Sequence, residues 1–450
     1  MPTYTPHTPD EIESMLEFIG LGSLGELFDV VPEALRLPHD LAMAPGIPEP
    51  DAVAHLRALA SRNLECGPEL VCFAGGGAYD REVPPVTTAL ASRSEFVTSY
   101  TPYQPEVAQG VLQALFEFQT MVARLAGLEI SNASLYDGAS ALVEAVNLGV
   151  SASGRSEVWV SRGVHPSWRE VLKTFARGTG HVIVEVDLDQ GQTRWPDTGR
   201  PGVVVMAYPN HLGCLEDVGV ARELADSTGA IMVMAFDPIA TSVLRSPGSW
   251  GADVAVGEGQ ALGMPLSFGG PYLGLFACRQ EHVRRLPGRL VGESVDTDGR
   301  TAYVTTLRAR EQDIRRQKAT SNVCTNQTLM AVTAAIQLGW LGTSGIAEVA
   351  KRSALGASYC RDLLVGIDGV EPLTSAPTLM EFSLRLPIDA STLIDRLVDE
   401  GFLAGIPLDT EYTGTEYTGS DMRGLLVTVT EKRTRSEIDA FAAAFARALR

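Results

Sequence analysis

Lysine is nearly absent from this chain. Its 450 residues contain Lys173, Lys318, Lys351 and Lys432 and no others, although lysine and arginine together number 36. The lysine amine is the side-chain group that condenses with a carbonyl, so covalent carbonyl chemistry would have very few places to start. Basic charge is also in deficit: 36 basic against 55 acidic side chains leave a formal charge of −19. That balance repels phosphate backbones and anionic bilayers and argues against a nucleic-acid or membrane partner. The six cysteines, Cys66, Cys72, Cys214, Cys278, Cys324 and Cys360, form no CxxC pair and no metal spacing; they read as free thiols suited to a reducing cytoplasm. The seven histidines give no HxH or HExxH, so no metal is expected, and P-loop and GxSxG motifs are missing too. The longest apolar runs, such as Val203–Tyr208 and Ile231–Phe236, are strand-sized, and no early segment joins a basic start to an apolar stretch. Neither a membrane span nor secretion is expected.

What is present is an ordinary globular composition, 45% hydrophobic and 20% charged, in a chain long enough for more than one domain. Thr8 as cap, Pro9, and Glu11 three residues after the cap predict a first helix, which opens an N-terminal helical arm over residues 1–65. Gly20-Leu-Gly22-Ser-Leu-Gly25 matches a dinucleotide pattern but follows a helix, which argues against nucleotide binding there. From about residue 110, helical stretches such as Val111–Leu125 and Ala139–Val150 alternate with β-branched runs. Strands are expected at Glu157–Ser161, Val182–Val186, Val203–Ala207, Ile231–Phe236, Val254–Val256 and Tyr272–Ala277. Such alternation predicts an α/β large domain, residues 66–330, with a mostly parallel sheet and its site at the carboxyl ends of the strands.

A smaller C-terminal α/β domain is expected over residues 331–450. Helices at Gln327–Leu341 and from Ile346, a strand at Phe382–Leu386, a helix at Ser391–Glu400 and a strand at Leu425–Thr430 precede a last helix capped by Thr434 and Glu437. The acidic stretch Leu408–Asp421 is expected to be a loop.

Four features fall at strand-to-helix junctions in the order of an aminotransferase-type pyridoxal-phosphate enzyme, fold type I. Asp137 and Ser140 stand at a helix N-terminus that could receive a phosphate. His165 follows a strand and could stack on a pyridine ring, and Asp237 ends a strand where a carboxylate could pair with a ring nitrogen. Taken singly they are equally a helix cap, a loop histidine and a turn residue ahead of Pro238. Gln260 then stands where the fold would need its reactive lysine, and an amide forms no Schiff base. A second polar cluster, Ser92–Gly110, packs tyrosines, glutamines and hydroxyls between prolines, and Arg310–Thr325 runs from charged helix into polar loop. Each could present donors to a ligand or a subunit, or be a solvated surface turn.

With Ala74-Gly-Gly-Gly-Ala-Tyr-Asp80, Tyr100-Thr-Pro-Tyr-Gln-Pro-Glu106, Asn132-Ala-Ser-Leu-Tyr-Asp-Gly138, Gly288-Arg-Leu-Val-Gly292 and Lys318-Ala-Thr-Ser-Asn-Val-Cys324, the chain resembles the P-protein of the glycine cleavage system, glycine dehydrogenase (decarboxylating). Within that family it looks like subunit 1 of the two-chain form. The resemblance implies an α2β2 heterotetramer with subunit 2, whose lysine carries the pyridoxal phosphate, while Asp137, Ser140, His165, Asp237 and Gln260 mark a vestigial pocket in this chain. It implies that glycine loses its carboxylate as carbon dioxide and that the aminomethyl group passes to the lipoyl arm of H-protein. It also implies that Tyr100, Tyr103, Gln104, Thr320 and Asn322 reach the partner's active site. Val97, Ser99 and Asn326 depart from the family pattern and leave open a paralogous decarboxylase subunit for another amino acid. The missing lysine leaves open a structural or regulatory partner, and an unexpected lysine would make a self-sufficient enzyme.

Overall fold

A computed structural model describes residues 6–39, 41–67, 69–319, 321–408 and 423–450, in two compact units, Met1–Leu64 and Glu65–Arg450. The first unit carries the expected helix, Pro9–Ile19, with the Thr8–Glu11 capping box formed and Gly20 closing it in a left-handed conformation (φ 77°). The glycine pattern at Gly20–Gly25 is thus a helix end running into a 3₁₀ turn, Leu24–Phe28, and does not lead from a strand into a helix.

The second unit is built on a seven-stranded sheet: β1 (Ile130–Ser131), β2 (Glu157–Ser161), β3 (Val182–Val186), β4 (Val203–Tyr208), β5 (Ile231–Phe236), β6 (Val254–Glu258) and β7 (Gly274–Cys278), in the order β1-β7-β6-β5-β4-β2-β3. Strands β2 to β6 pair in parallel, and β7 runs antiparallel to both β6 and β1. The central strands are apolar at every position because both faces are covered; all six residues of β4 are buried. Helix Gly138–Ser153 covers one face, packing Leu142, Ala145 and Val146 on Val158, Val205, Val233 and Phe276. On another, Leu112, Leu115 and Phe118 of helix Gln109–Ala126 meet Ala331 and Ala334 of helix Thr328–Val365. That last helix joins the two helices expected from the sequence, with a break at Gly342 (φ 61°). It is long and apolar enough to cross a membrane, yet buried Thr333, Gln337 and Ser353 lie along it and its apolar face belongs to these cores. Strand β1, two residues long, and a hairpin pairing Leu290–Val295 with Thr301–Thr306 were not expected.

A four-stranded antiparallel sheet, Glu371–Pro372, Glu381–Arg385, Gly424–Thr428 and Ile406–Leu408, forms the second core with helix Arg435–Ala448. The expected loop at Leu408–Asp421 lies, beyond Leu408, outside the described residues. Val71–Cys72 precedes the large sheet in sequence but pairs with Phe402–Leu403, and Phe73 stacks on Phe441 with ring centroids 4.0 Å apart. The glycine-rich segment Ala74–Asp80 therefore leaves the smaller core and crosses to the carboxyl ends of the large sheet.

That crossing is fixed at its far end by ion pairs. Arg81 Nη1 lies 2.6 Å from Glu431 with side-chain exposures of 3% and 10%, and Lys432 and Arg433 both reach Asp80. A buried guanidinium and carboxylate hold each other at little net gain, whereas one without the other is costly. Arg81→Met is expected to destabilise the fold by about 3 kcal/mol, read as a lowered denaturant midpoint. A midpoint equal to that of the unsubstituted chain would show that Glu431 finds another partner.

Candidate active site

Four loops converge at the carboxyl ends of β2, β4, β5 and β6 on a cavity of about 90 Å³. Gly76, Gly77 and Tyr79 line it from the crossing segment, His165 and Trp168 after β2, Asn210 and His211 after β4, Asp237 after β5, and Glu258 at the end of β6. Met380 and Glu381 close it from the smaller domain. His165 caps helix Pro166–Thr179 through Nδ1, which accepts the Ser167 N–H at 3.1 Å, and its ring meets that of His211 edge-on at 4.9 Å. Burial drives both imidazoles toward the neutral form, His211 down to about 3. The Asp237 carboxylate accepts the N–H groups of Ile239 and Ala240 at 2.7 and 2.9 Å and so caps the turn after β5. Glu381, buried, accepts from Gly76 N–H, the Tyr79 hydroxyl and the Thr428 hydroxyl at 2.8, 3.0 and 2.7 Å. Burial, and then the charge of Asp237, raise its pKa above the usual carboxyl range.

Gln260 lies behind this wall, with no exposed surface. Its Oε1 accepts the Tyr79 N–H at 2.9 Å, and its Nε2 donates to the carbonyls of Tyr79 at 3.0 Å and Met264 at 2.8 Å. The amide thus pairs with both sides of residue 79 as a neighbouring strand would, at a point where that segment has no strand beside it. An ammonium offers donors only and could not accept the Tyr79 N–H.

The residues present do not fit pyridoxal phosphate in this pocket. Its phosphate would need the N–H groups at the start of helix Gly138–Ser153. Two of them are already taken, Gly138 N–H by Glu258 at 2.9 Å and Ser140 N–H by Asp137 at 2.7 Å. Glu258 also accepts from Gln260 N–H and Leu273 N–H; burial pushes it up to about 7 against the pull of these donors. The Trp168 ring covers Gly138 so closely that a Cβ there would sit 2.1 Å from a ring carbon. The cavity is also well below the roughly 300–1,000 Å³ of ligand pockets. None of the four lysines lines it. Of the residues singled out in the sequence, His165 and Asp237 reach the cavity, while Asp137, Ser140 and Gln260 stand behind it. Tyr79, His211, Glu258 and Glu381 were missed. Only Glu258, two residues before Gln260 on the same strand, carried a local signal.

The second cluster is open. Tyr100 and Tyr103 are 70% and 62% exposed, and Gln104 and Asn322 are exposed beside them in sequence segments that the fold brings together; Thr320 lies outside the described residues. The bridge is Arg289, from the Gly288–Gly292 motif. Its Nη1 donates to the Thr101 hydroxyl, to the Thr325 hydroxyl at 3.0 Å and to Asn326 Oδ1 at 3.4 Å, and its Nη2 to the Cys324 carbonyl at 3.2 Å. The guanidinium carbon lies 5.5 Å from the centre of the Tyr103 ring. Tyr136 adds a contact, its hydroxyl accepting the Cys324 N–H at 3.2 Å. Of the positions that depart from the family pattern, Asn326 is buried and bonded to Ala133, Ser134 and Thr328, whereas Val97 is exposed and Ser99 donates to the Glu95 carbonyl at 3.3 Å. Beneath the turn, Glu144 lies beside Ser321 and Asn147, and burial raises its pKa to about 7 against their pull.

The sheet order and the two-domain arrangement are those of the pyridoxal-phosphate enzymes of fold type I. Sphingosine-1-phosphate lyase from Burkholderia pseudomallei superposes with a TM-score of 0.63 at 14% identity, over 93% of this chain and 94% of that one. At that identity only the fold is shared. The family profile of the glycine cleavage system P-protein matches residues 2–445, and the chain belongs to that family. It is 43% identical over 446 residues to a probable glycine dehydrogenase (decarboxylating) subunit 1 from Desulforamulus reducens, covering 98% of each chain. A protein of the same description from Moorella thermoacetica is 44% identical over 447 residues, with 98% of each covered. A crystal structure of glycine decarboxylase (P-protein) of the glycine cleavage system, in inhibitor-bound form, superposes with a TM-score of 0.91 at 45% identity, over 99% of this chain and 100% of that one.

Gln260→Lys is expected to cost about 3 kcal/mol, because it buries an ammonium and leaves the Tyr79 N–H unpaired. Borohydride treatment with added pyridoxal phosphate should leave residue 260 unlabelled; stable attachment there, in a chain as stable as the original, would show that the pocket still accepts the cofactor. Glu144 gives a pH signature. Its folded pKa is raised from 4.5 to about 7, so its contribution to stability is complete below about 4.5 and is lost as pH rises through about 7. Glu144→Gln should therefore gain up to about 3 kcal/mol on the original chain across that window. Parallel stability profiles would mean that the carboxyl is ionised throughout.

Proposed function

We propose that this chain is subunit 1 of a two-chain glycine decarboxylase of the glycine cleavage system, and that it completes an active site centred on subunit 2. The observation that carries the reading is the contrast between its two clusters. At the strand ends the chain's own groups take up Gln260 and the helix N-terminus beside a small cavity, while tyrosine hydroxyls and side-chain amides stand ready on an open face. Pyridoxal phosphate, the cofactor that fold and family support, would then be held by a lysine of subunit 2, where it would supply the electron sink that decarboxylation of glycine needs.

The part played by this chain is to bind, orient and exclude water. Tyr100 and Tyr103 bring rigid rings with a donor at the tip, and Gln104 and Asn322 bring amides that both donate and accept. On docking, these groups leave water, and each hydrogen bond to glycine or to the cofactor's polar edge strengthens. We place the lipoylated H-protein, which takes up the aminomethyl group, at the mouth of the same composite site, and the assembly as an α2β2 heterotetramer. All six cysteines are free thiols, which suits a cytoplasmic setting.

The test is reconstitution. This chain with pyridoxal phosphate alone should not exchange carbon dioxide with the carboxyl of glycine, and the two-chain complex should. Tyr100→Phe or Gln104→Ala in an assembled complex should lower that exchange roughly 10-fold, the loss of one hydrogen bond made in the transition state. Unchanged turnover in both variants would make the chain a scaffold, and exchange by the chain alone would make it self-sufficient.

A further inference from the structure

We propose that Arg289 is the positioning residue that locks the tyrosine loop and the Asn322 turn into one register, so that the face offered to subunit 2 is formed before the partner arrives. This rests on the composite-site reading above. The two segments are more than two hundred residues apart in sequence, and neither belongs to a sheet that could align it with the other.

The backbone of Arg289 is itself anchored. Its carbonyl accepts the Ala133 N–H at 2.9 Å, and the carbonyl of Pro287, two residues earlier, accepts from the Asn132 side chain at 3.1 Å. From that fixed base the guanidinium divides its donors between Thr101 on one segment and Cys324, Thr325 and Asn326 on the other. These acceptors are neutral hydroxyls, an amide and a peptide carbonyl, so the arginine works as a rigid fork and not as half of an ion pair. The Tyr103 ring lies near the guanidinium, one residue from Gln104. Asn322, two residues before Cys324, is therefore placed through the carbonyl that Nη2 holds. A second, independent tie on that turn, from Cys324 N–H to the Tyr136 hydroxyl, holds the adjacent peptide of the same residue.

A shift of about 1 Å in groups that orient a substrate can lower turnover on the order of 100-fold with little effect on substrate affinity. A lysine cannot replace the fork, because it presents one point charge in place of two separated N–H edges. Arg289 then governs how well the face is arranged while touching neither glycine nor cofactor.

Two measurements test this. In the free chain, hydrogen exchange of peptides spanning 98–107 and 321–327 should rise together in Arg289→Ala, with β4 and β5 unchanged. In the assembled complex, Arg289→Ala should lower kcat for glycine carboxyl exchange roughly 10- to 100-fold with KM for glycine within about threefold. Added guanidinium chloride at millimolar concentration should restore part of kcat to Arg289→Ala and none to Tyr100→Phe, and Arg289→Lys should stay low. Exchange that rises in only one segment or in neither, or kcat within about twofold of the unsubstituted complex, would overturn the assignment. If Tyr100→Phe and Gln104→Ala lower turnover and Arg289→Ala does not, this assignment alone falls. If all three are silent, the composite-site reading falls with it. Should Arg289→Ala fail to assemble, the free-chain exchange and the Arg289→Lys complex decide.

Discussion

The pairing of the Gln260 amide with residue 79 is the contact on which the closed pocket depends. Both of its N–H donors and its oxygen are used inside the protein, with no surface open to solvent. Residue 79 is then a fixed point, from which the Tyr79 hydroxyl reaches Glu381 and Glu381 reaches Gly76 and Thr428. Gly75 shows how close this packing is: a Cβ there would lie 2.0 Å from the Thr428 hydroxyl. Large domain, crossing segment and smaller domain thus meet through one chain of hydrogen bonds that begins at an amide. An apolar residue at 260 would fill the space but leave the Tyr79 peptide without partners, at a cost of about 1–3 kcal/mol for each buried group.

Charge is confined in the same region. Asp237, Glu258 and Glu381 face one small cavity with two neutral imidazoles and no lysine; of the nearby cations, Arg81 lies over the Tyr79 ring and is paired with Glu431, and Arg169 is paired with Glu185. Burial raises the pKa of Glu258 and Glu381, and Glu258 accepts an N–H at the start of helix Gly138–Ser153. An anion would have to displace a carboxylate that already holds three N–H groups.

The parts of the fold that were legible share a physical cause. Strands β4 and β5 are buried on both faces, so they are continuous apolar runs that leave little choice of structure. The capping boxes at Thr8 and Thr434 are local, and each formed with its glutamate three residues on. The hairpin Leu290–Thr306 is half exposed and carries no such run, and β1 is too short to have a period. In the pocket, Asp237 and Gln260 were legible because strand ends point to them. Tyr79, Glu381 and His211 were not, because their roles arise from contacts across the chain, such as that from Tyr79 to Glu381, 302 residues apart. Arg289 lies within a motif, yet nothing local says that its guanidinium joins two distant loops.

Closing one pocket and opening one face place different demands on side chains. Behind the pocket a buried polar group is tolerated only where its polar atoms find partners, as those of the Gln260 amide do. The open face needs groups that are stable in water and still able to bond when water leaves. Tyrosine and the amides of Gln104 and Asn322 meet both conditions, since their polar atoms are solvated now and their geometry is set by few torsions. Exposed loops, however, drift, and a site built on them is only as good as its supports. On the proposed reading, the rigid half of this chain exists to carry those supports. The Gln260–Tyr79–Glu381 contacts hold the sheet ends and their loops without a cofactor, and the guanidinium of Arg289 passes that rigidity outward to the two segments that meet the partner.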